Sequence, residues 1–206
     1  MNAILAKQDV YYVVAYDLGR NTLALKAGPP VRHPDQLKGK IIRDAGVWQG
    51  RLLETWGATP KTVAIGDVVP AIQRGGLDGV MIGVAGLGGL KLHENLKSIT
   101  IFPNANQVFY YLAASRKFVA SLTAEQRRLF DEAAREELAF GAKSQAEFAS
   151  RYLDQIQKAG VTVHTLTREE EGSFRPGVQA VYQRILGEIG PDGKKLAATL
   201  DQLIKT

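Results

Sequence analysis

Short apolar runs rich in β-branched and aromatic residues alternate along the first half of the chain with stretches that suit helices. Runs of this kind are typical of buried strands, and glycine or proline stands at most of the boundaries between them. The order strand, helix, strand, helix, strand predicts a doubly wound α/β unit. Its strands are expected at residues 10–15, with 23–26 as a candidate partner strand, and at 40–43, 62–65 and 77–84. Its helices are expected at residues 34–38 and 46–56, and from an Asp67 cap through Ile72.

The second half of the chain predicts a different arrangement, dominated by one long helix. Thr123 and Gln126 have the spacing of a capping box, which begins a helix. Apolar residues then recur every three or four positions from Phe130 to Ile156, and Gly160 suits the end of the helix. A helix of roughly 35 residues would be about 50 Å long, so we expect it to lie across two lobes or against another chain. The remaining elements are expected as strands at 107–114 and 161–166 and helices at 174–189 and 193–204.

Composition and charge narrow the class of protein. A chain of 206 residues with 45% hydrophobic residues can bury a substantial core, and no window approaches the about 20 apolar residues that a membrane-spanning helix needs. The net charge of +5 suits nucleic acid, anionic lipid or a small anionic ligand. The densest charged stretches mix both signs, which favours a solvated surface and argues against nucleic acid. The absence of cysteine excludes disulfides and thiolate metal sites.

Arg43 is the first candidate binding residue. It ends the short apolar strand in the stretch PPVRHPDQLKGKIIRDAG, residues 29–46. A guanidinium presents a planar fork of donors that binds a carboxylate through two hydrogen bonds, a geometry that lysine does not offer. An arginine at the end of a strand is also often solvated or paired with a local acid, and Asp44 is adjacent. From the residues alone, an anion receptor and a solvated strand end both stay open.

Four stretches of the chain, in their order and spacing, resemble the solute-binding receptors of tripartite ATP-independent periplasmic (TRAP) transporters, the DctP family. They are PVRHPDQLKGKIIR, WGATPKTVAIGDVVPAIQRGGLDGV, YYLAASRKFVASLTAEQRRLFDEAAREE and AGVTV, and the resemblance covers the chain from about Tyr12 to its end. The resemblance implies an α/β fold of the type II periplasmic-binding-protein-like kind, in which two lobes joined by hinge strands and a long shared helix close over a small organic acid. It also implies a periplasmic receptor that delivers its ligand to the membrane permease subunits of the transporter, without enzymatic activity, cofactor or metal.

The resemblance further implies a division of the chain into five segments. The first lobe is expected to be incomplete, so the chain is interpreted as an amino-terminally truncated member that lacks on the order of 100 residues. No signal peptide is visible, because Lys7, Gln8 and Asp9 stand where its apolar centre would be. The segments are a crossing hinge strand at 1–19, the second α/β lobe at 20–106, a strand returning to the first lobe at 107–123, the lobe-spanning helix at 124–160, and the carboxyl-terminal strand and helices at 161–206.

An incomplete first lobe would expose apolar surface. The face of Phe109, Tyr110 and Tyr111, together with the long helix, is expected to favour a homodimer, strand exchange or aggregation. The same incompleteness raises an alternative function, that of a truncated remnant that binds nothing small and acts only as an interaction or structural domain.

Two arginines take the places of ligand-binding arginines in this resemblance. Arg43 matches the family arginine that ends the strand after the LKGK-type turn and pairs with the ligand carboxylate, and Arg20 matches a second arginine just after the crossing strand. Such a pair would strengthen in a cleft that closes and excludes water. Trp48 follows Arg43 closely enough to line the same cleft, although a core position on its helix is the more typical role.

The chain departs from the family pattern at two ligand-facing places. Ile82 stands near the place of an asparagine that reaches the ligand, and Ile65 stands where an aromatic residue often packs on it. These replacements predict a more apolar pocket and a monocarboxylate, such as a 2-oxo acid or an aromatic acid, rather than a C4-dicarboxylate. Asn106, with its neighbours Asn104 and Gln107, could supply the polar contacts instead.

Other function classes find little support in the sequence. Residues 83–89 form a glycine-rich stretch after a predicted strand, but they lack the GxGxxG spacing and the acidic residue of a nucleotide-binding enzyme. His33, His93 and His164 lie far apart with no pattern of acidic partners, which predicts surface or turn residues rather than metal ligands or bases. The basic residues of the long helix are interspersed with acidic ones, unlike a nucleic-acid-binding face.

Overall fold

The chain folds as a mixed α/β protein in a computed structural model that describes residues 9–104, 107–191, 193–195 and 197–198. This confirms the predicted fold class. The chain divides into two compact units. Unit 1 takes Met1–Thr22, Ile82–Glu94 and Asn104–Val161, and unit 2 takes Leu23–Met81, Asn95–Pro103 and Thr162–Thr206.

Seven strands in the described part of the chain pair into a sheet. They are β1 Val10–Leu25, β2 Ile41–Asp44, β3 Thr59–Thr62, β4 Gly79–Gly83, β5 Ser98–Ile101, β6 Gln107–Ser115 and β7 Thr162–Thr165. Their order is β3-β2-β4-β1-β5-β7, and β6 pairs with β1 off this path. β2 runs parallel to β3 and β4, β5 runs parallel to β7, and β6 runs antiparallel to β1. The carboxyl ends of β3, β2 and β4 therefore meet at one edge of the sheet.

Helices and 3₁₀ turns connect these strands. The α-helices are α1 Val47–Thr55, α2 Val68–Gln73, α3 Val84–Gly89, α4 Arg116–Ser121, α5 Ala124–Lys158 and α6 Arg168–Ile189, and the 3₁₀ turns are Pro34–Leu37, Ile65–Asp67 and Leu92–Asn95. The short helix after Pro34 and the helix that ends before Gly57 are confirmed. Asp67 precedes α2, but its side chain makes no capping hydrogen bond, so that detail is wrong. Of the helix predicted at 193–204, residues 193–195 and 197–198 are helical and the others lie outside the described residues.

β1 is one continuous strand of 16 residues, so the prediction of paired strands at 10–15 and 23–26 is wrong. Asp17 and Gly19 favour a turn in the sequence. Pairing of β1 with β6 nevertheless continues to Arg20, through an irregularity between Asp17 and Arg20. A bulge of this kind absorbs extra residues without reversing the chain. Pairing with a distant segment thus overrides the local turn signal.

Two further boundaries differ from the predictions. β3 occupies Thr59–Thr62 rather than 62–65. It is an edge strand of the sheet, and edge strands tolerate a proline such as Pro60. α6 begins at Arg168 rather than at 174, because Thr167 and Glu170 form a capping box. The Thr167 hydroxyl accepts a hydrogen bond from the Glu170 N–H at 3.2 Å, and the Glu170 carboxylate accepts one from the Thr167 N–H at 2.8 Å. These bonds satisfy two of the free N–H groups at the start of the helix.

The core of unit 2 is built around three aromatic rings. Trp56 stacks on Phe102 with ring centroids 5.5 Å apart, and Phe174 meets both rings edge-on at 5.1 Å. The Trp56 indole N–H donates to the Phe174 carbonyl at 3.1 Å, which satisfies the one polar atom of the ring. All three side chains are buried. The cluster ties α1, α6 and the segment after β5 together.

Unit 1 carries the long helix that the sequence predicted. α5 spans 35 residues, and Thr123 begins it with the expected capping box to Gln126. Gly160 follows its end with a φ of +81°, a conformation that favours glycine. The helix belongs to unit 1 over its whole length. Its predicted position across two lobes stays a prediction.

The predicted apolar face of unit 1 is described only in part. Tyr111 is 60% exposed, and the side chains of Phe109 and Tyr110 lie outside the described residues. Large side chains on α5, including Phe140, are also exposed. The homodimer stays a prediction. Among the described helices, none combines the length and the apolar character that crossing a bilayer requires.

Asp78 links the amino end of β2 to the end of β1, and its charge should make unit 2 sensitive to acid. Its carboxylate accepts a hydrogen bond from the Ile41 N–H at 2.9 Å and lies 3.4 Å from the Lys26 ammonium. The Ile41 hydrogen bond, and after it Lys26, holds the pKa of Asp78 below its ordinary value of 3.8. Because the folded pKa is the lower one, the stabilisation is complete well above the ordinary value and is lost as the pH falls through the folded pKa.

We therefore expect the melting temperatures of the wild type and of Asp78→Asn to converge as the pH falls. The variant keeps an oxygen for Ile41 and loses only the charge. The Asp78 side chain is partly exposed, so the two proteins should differ in free energy of unfolding by less than about 1 kcal/mol at neutral pH. This difference should shrink between about pH 5 and about pH 2.5. Thermal melts followed by circular dichroism measure it, and a difference that stays constant over this range would contradict the prediction.

Candidate functional site

Arg43 lies buried at the carboxyl end of β2. Its register partners are Lys61 on β3 and Val80 on β4. The residue is 8% exposed, and its Nε donates a hydrogen bond to the Val63 carbonyl at 3.1 Å. This bond fixes the plane of the guanidinium. The alternative of a solvated strand end is wrong, and a buried guanidinium is stable only where hydrogen bonds or an opposite charge compensate it.

The strand order places this arginine at a topological switch point. The chain leaves β2 towards β3 on one side, and it leaves β4 towards β5, which lies beyond β1 on the other side. In open α/β sheets, ligands bind outside the carboxyl ends of strands where successive connections diverge in this way. Arg43 occupies that end of β2, and its position therefore suits a ligand contact.

Asp44, the alternative partner of Arg43, stabilises the loop that follows β2. Its Oδ1 accepts hydrogen bonds from the Gly46 N–H at 2.9 Å and from the Thr62 hydroxyl at 2.8 Å. Because successive residues of a strand point to opposite faces of the sheet, the side chains of Arg43 and Asp44 leave β2 on opposite faces. The Asp44 carboxylate thus joins the ends of β2 and β3 and sets the start of α1.

Trp48 and Ile65 follow the carboxyl ends of β2 and β3 in unit 2. Trp48 is half-buried and packs against the hydrophobic core, and the Arg51 guanidinium lies 4.5 Å above its ring. Arg51 also pairs with Glu188 on α6 at 2.6 Å. Ile65, in a 3₁₀ turn, is 43% exposed. Trp48 therefore has the core role that its helix favours, and the ligand contacts of both residues stay predictions.

Arg20 and Ile82 belong to unit 1. Arg20 is exposed on β1, directly before the buried residues Asn21 and Thr22. The Thr22 hydroxyl donates to the Ile82 carbonyl at 2.6 Å, and this bond joins β1 to β4. Ile82 itself is half-buried. Asn106 lies outside the described residues.

These placements divide the predicted site. Arg43, Trp48 and Ile65 occur together in unit 2, and Arg20 and Ile82 occur in unit 1. The joining of all of them with a ligand in one cleft stays a prediction.

The glycine-rich stretch after β4 is a helix rather than a nucleotide-binding loop. It forms α3, which packs against α5. A Cβ at Gly88 would collide with the ring of Tyr152 on α5, and a Cβ at Gly86 would collide with the Ile82 side chain. Close approach of neighbouring side chains therefore explains these glycines. In the described part of the chain, no group of three or more acidic or histidine side chains could hold a metal ion.

His164 corrects one sequence prediction, because it has an acidic partner. The His164 Nε2 lies 2.7 Å from a Glu170 carboxylate oxygen, whereas the His33 Nδ1 accepts a hydrogen bond from the Asp35 N–H at 3.2 Å. Glu170 also caps α6, and the Thr167 N–H, followed by His164, lowers the pKa of its carboxyl. The Thr-x-x-Glu pattern at 167–170 was the signal that sequence analysis missed. Glu170 and His33 lie at the starts of their helices, where both side chains cap the backbone.

A family model and a curated relative match most of this chain. The family model for bacterial extracellular solute-binding proteins, family 7 (DctP), matches residues 4–188. The C4-dicarboxylate-binding periplasmic protein DctP of Rhodobacter capsulatus is 25% identical over 173 residues, which cover 82% of this chain and 51% of that protein.

Solved structures show the same fold. The periplasmic ectoine-binding protein of the TeaABC TRAP transporter of Halomonas elongata matches with a TM-score of 0.87 at 20% identity, covering 95% of this chain and 64% of that chain. A TRAP periplasmic solute-binding protein of Shewanella oneidensis with bound succinate matches with a TM-score of 0.83 at 22% identity, covering 96% and 65%. The chain thus spans about half the length of this curated relative and just under two thirds of these structures.

Proposed function

Because this chain belongs to family 7 of the bacterial extracellular solute-binding proteins, the DctP family of periplasmic TRAP receptors, we propose that it binds a small organic acid through Arg43 and delivers the acid to a TRAP membrane permease. The observation that carries the proposal is the buried guanidinium at the carboxyl end of β2. The protein acts as a binding protein and not as an enzyme. Its place of action is the periplasm, where the family functions.

The geometry of Arg43 supports a carboxylate ligand. The guanidinium of Arg43, held in plane by the hydrogen bond from its Nε to the Val63 carbonyl, is a planar set of donors of the kind that a carboxylate binds. Two parallel hydrogen bonds to an ionised acceptor are among the strongest in proteins, and they also fix the orientation of the acid. Burial strengthens the pair, because solvent screening falls. Arg20 of unit 1 supplies the second positive charge in the proposed complex.

The proposed ligand is a small organic acid, and a monocarboxylate is the first choice. Ile65 and Ile82 are apolar side chains at two places where the family pattern has an aromatic residue and an asparagine. Trp48 adds a further apolar surface beside the end of β2. The Rhodobacter relative is named for C4-dicarboxylates, and the Shewanella structure holds succinate. Both ligands are carboxylates, so the comparison of mono- and dicarboxylates decides the finer assignment.

A thermal-shift screen of the purified chain tests this function. The panel contains pyruvate, lactate, succinate and malate, each at matched ionic strength, with the corresponding uncharged amide of each acid as its control. A ligand that binds only the folded state increases the free energy of unfolding, by about 2.7 kcal/mol at a hundredfold excess over Kd. This stabilisation raises the melting temperature. We expect a selective rise with one acid and none with its amide. A folded chain that responds to no acid would contradict the proposal and favour the truncated remnant.

A further inference from the structure

A cavity of about 410 Å³ lies within unit 1 and is separate from the residues assigned to the organic acid. Its volume falls within the usual range for small-molecule sites. Tyr11, Val119 and Ala120 provide apolar surface, and Val119 is buried. The apolar part of this lining favours ligands that carry an apolar body.

Arg127 is held rigidly at this cavity by two neighbours. Its Nε donates to Asp131 at 2.9 Å, and its Nη2 donates to the Tyr11 hydroxyl at 2.5 Å. The guanidinium also lies 4.7 Å above the Tyr11 ring, a favourable cation–π distance. Because Asp131 offsets its charge, Arg127 contributes mainly a fixed donor plane and an apolar contact.

Arg116 and Lys117 bring further positive charge to the cavity. Their backbone N–H groups are fixed, by the Asp9 carbonyl at 3.1 Å and the Ser115 hydroxyl at 3.1 Å. Both side chains are exposed, and neither forms an ion pair with another residue of the described part of the chain. The carboxylate of Asp9 lines the same cavity and supplies one opposing charge. The lining therefore contains two cationic side chains without an ion pair to a described residue, Arg116 and Lys117, and one acidic residue, Asp9.

We propose that this cavity is a second anion site, which takes a small carboxylate with an apolar body. The carboxylate lies against Arg116 and Lys117, and the apolar body lies on Tyr11, Val119 and Ala120. Inorganic phosphate would gain the electrostatic contact but would bury no apolar surface. The site therefore prefers an aromatic or short aliphatic acid to phosphate.

Methyl NMR of Val119 tests this proposal with a reporter inside the cavity. The full chain, labelled at valine methyl groups, is titrated with benzoate and, separately, with inorganic phosphate at equal ionic strength. We expect the Val119 methyl signals to move in a saturable way with benzoate and little with phosphate. Arg116→Gln combined with Lys117→Gln should weaken the benzoate response by about tenfold or more, as the loss of a charged contact predicts.

Arg135→Gln combined with Lys143→Gln is the matched control, because it removes the same charge from exposed positions of α5. This control should change the benzoate affinity by less than about twofold. Arg43→Lys should leave the response of the Val119 methyl signals to benzoate unchanged. The measurement therefore distinguishes loss of binding at Arg43 from loss of binding at this cavity. Val119 signals that stay fixed, equal responses to phosphate and benzoate, or equal affinities of the two double variants would each overturn the proposal.

Discussion

Arg43→Lys is expected to weaken binding of the organic acid by about 2–5 kcal/mol, a loss of roughly 30-fold to several thousandfold in affinity. Lysine keeps the charge but replaces a planar fork of donors with a single ammonium, so the bidentate contact is lost. The hydrogen bond to Val63 is lost as well, and with it the fixed plane of the donors. Isothermal titration with the acid identified by thermal shift measures the effect.

Arg74→Lys is the matched control for this variant. Arg74 is exposed after α2 in the same unit. The affinity of the Arg74→Lys variant for the acid should therefore stay within about twofold of the wild type. Without ligand, Arg43→Lys should lower stability by at least about 1 kcal/mol, the usual contribution of one hydrogen bond such as that to Val63. Equal affinities of the two lysine variants, in folded samples, would refute the role of Arg43.

Phe174→Ala is expected to reduce the free energy of unfolding of unit 2 by about 3–5 kcal/mol. Phe174 is 1% exposed and touches the rings of both Trp56 and Phe102. Its removal leaves a cavity in a cluster whose members cannot close over it without breaking their ring contacts. Urea unfolding followed by tryptophan fluorescence measures the loss, because Trp48 and Trp56 both belong to unit 2.

Phe140→Ala makes the same chemical change at an exposed place. Phe140 is 65% exposed on α5, so its removal should alter stability by less than about 0.5 kcal/mol. A loss below about 1 kcal/mol in Phe174→Ala would show that the aromatic cluster contributes little to unit 2.

Patterns that depend on nearby residues were predicted well. The capping box at Thr123 and the period of the apolar residues located α5, since both depend on contacts within one or two helical turns. The same pattern at Thr167 was present but not used, and the start of α6 was therefore misplaced. The pair of His164 and Glu170 could not be found from spacing alone, because one residue lies on β7 and the other on α6.

Patterns that depend on distant residues were not predictable. The turn signal around Gly19 was locally reasonable, but β6 supplies a pairing partner that keeps β1 extended. Glycines 86 and 88 resembled part of a loop, and only the position of Tyr152 shows why a Cβ is excluded at Gly88. Each of these cases involves a contact between segments far apart in the chain, which no local propensity encodes.

By itself, the sequence determined the α/β class, the long capped helix, the family resemblance and the position of Arg43 at the end of a strand. These follow from hydrophobic periodicity, caps and motif spacing, all of which act over short stretches. The tertiary structure decided that Arg43 is buried, that β2 lies between β3 and β4, and that Asp44 bonds to Gly46 and Thr62. Burial and strand order depend on which distant segments exclude water from a side chain, and that choice is made only when the whole sheet has assembled.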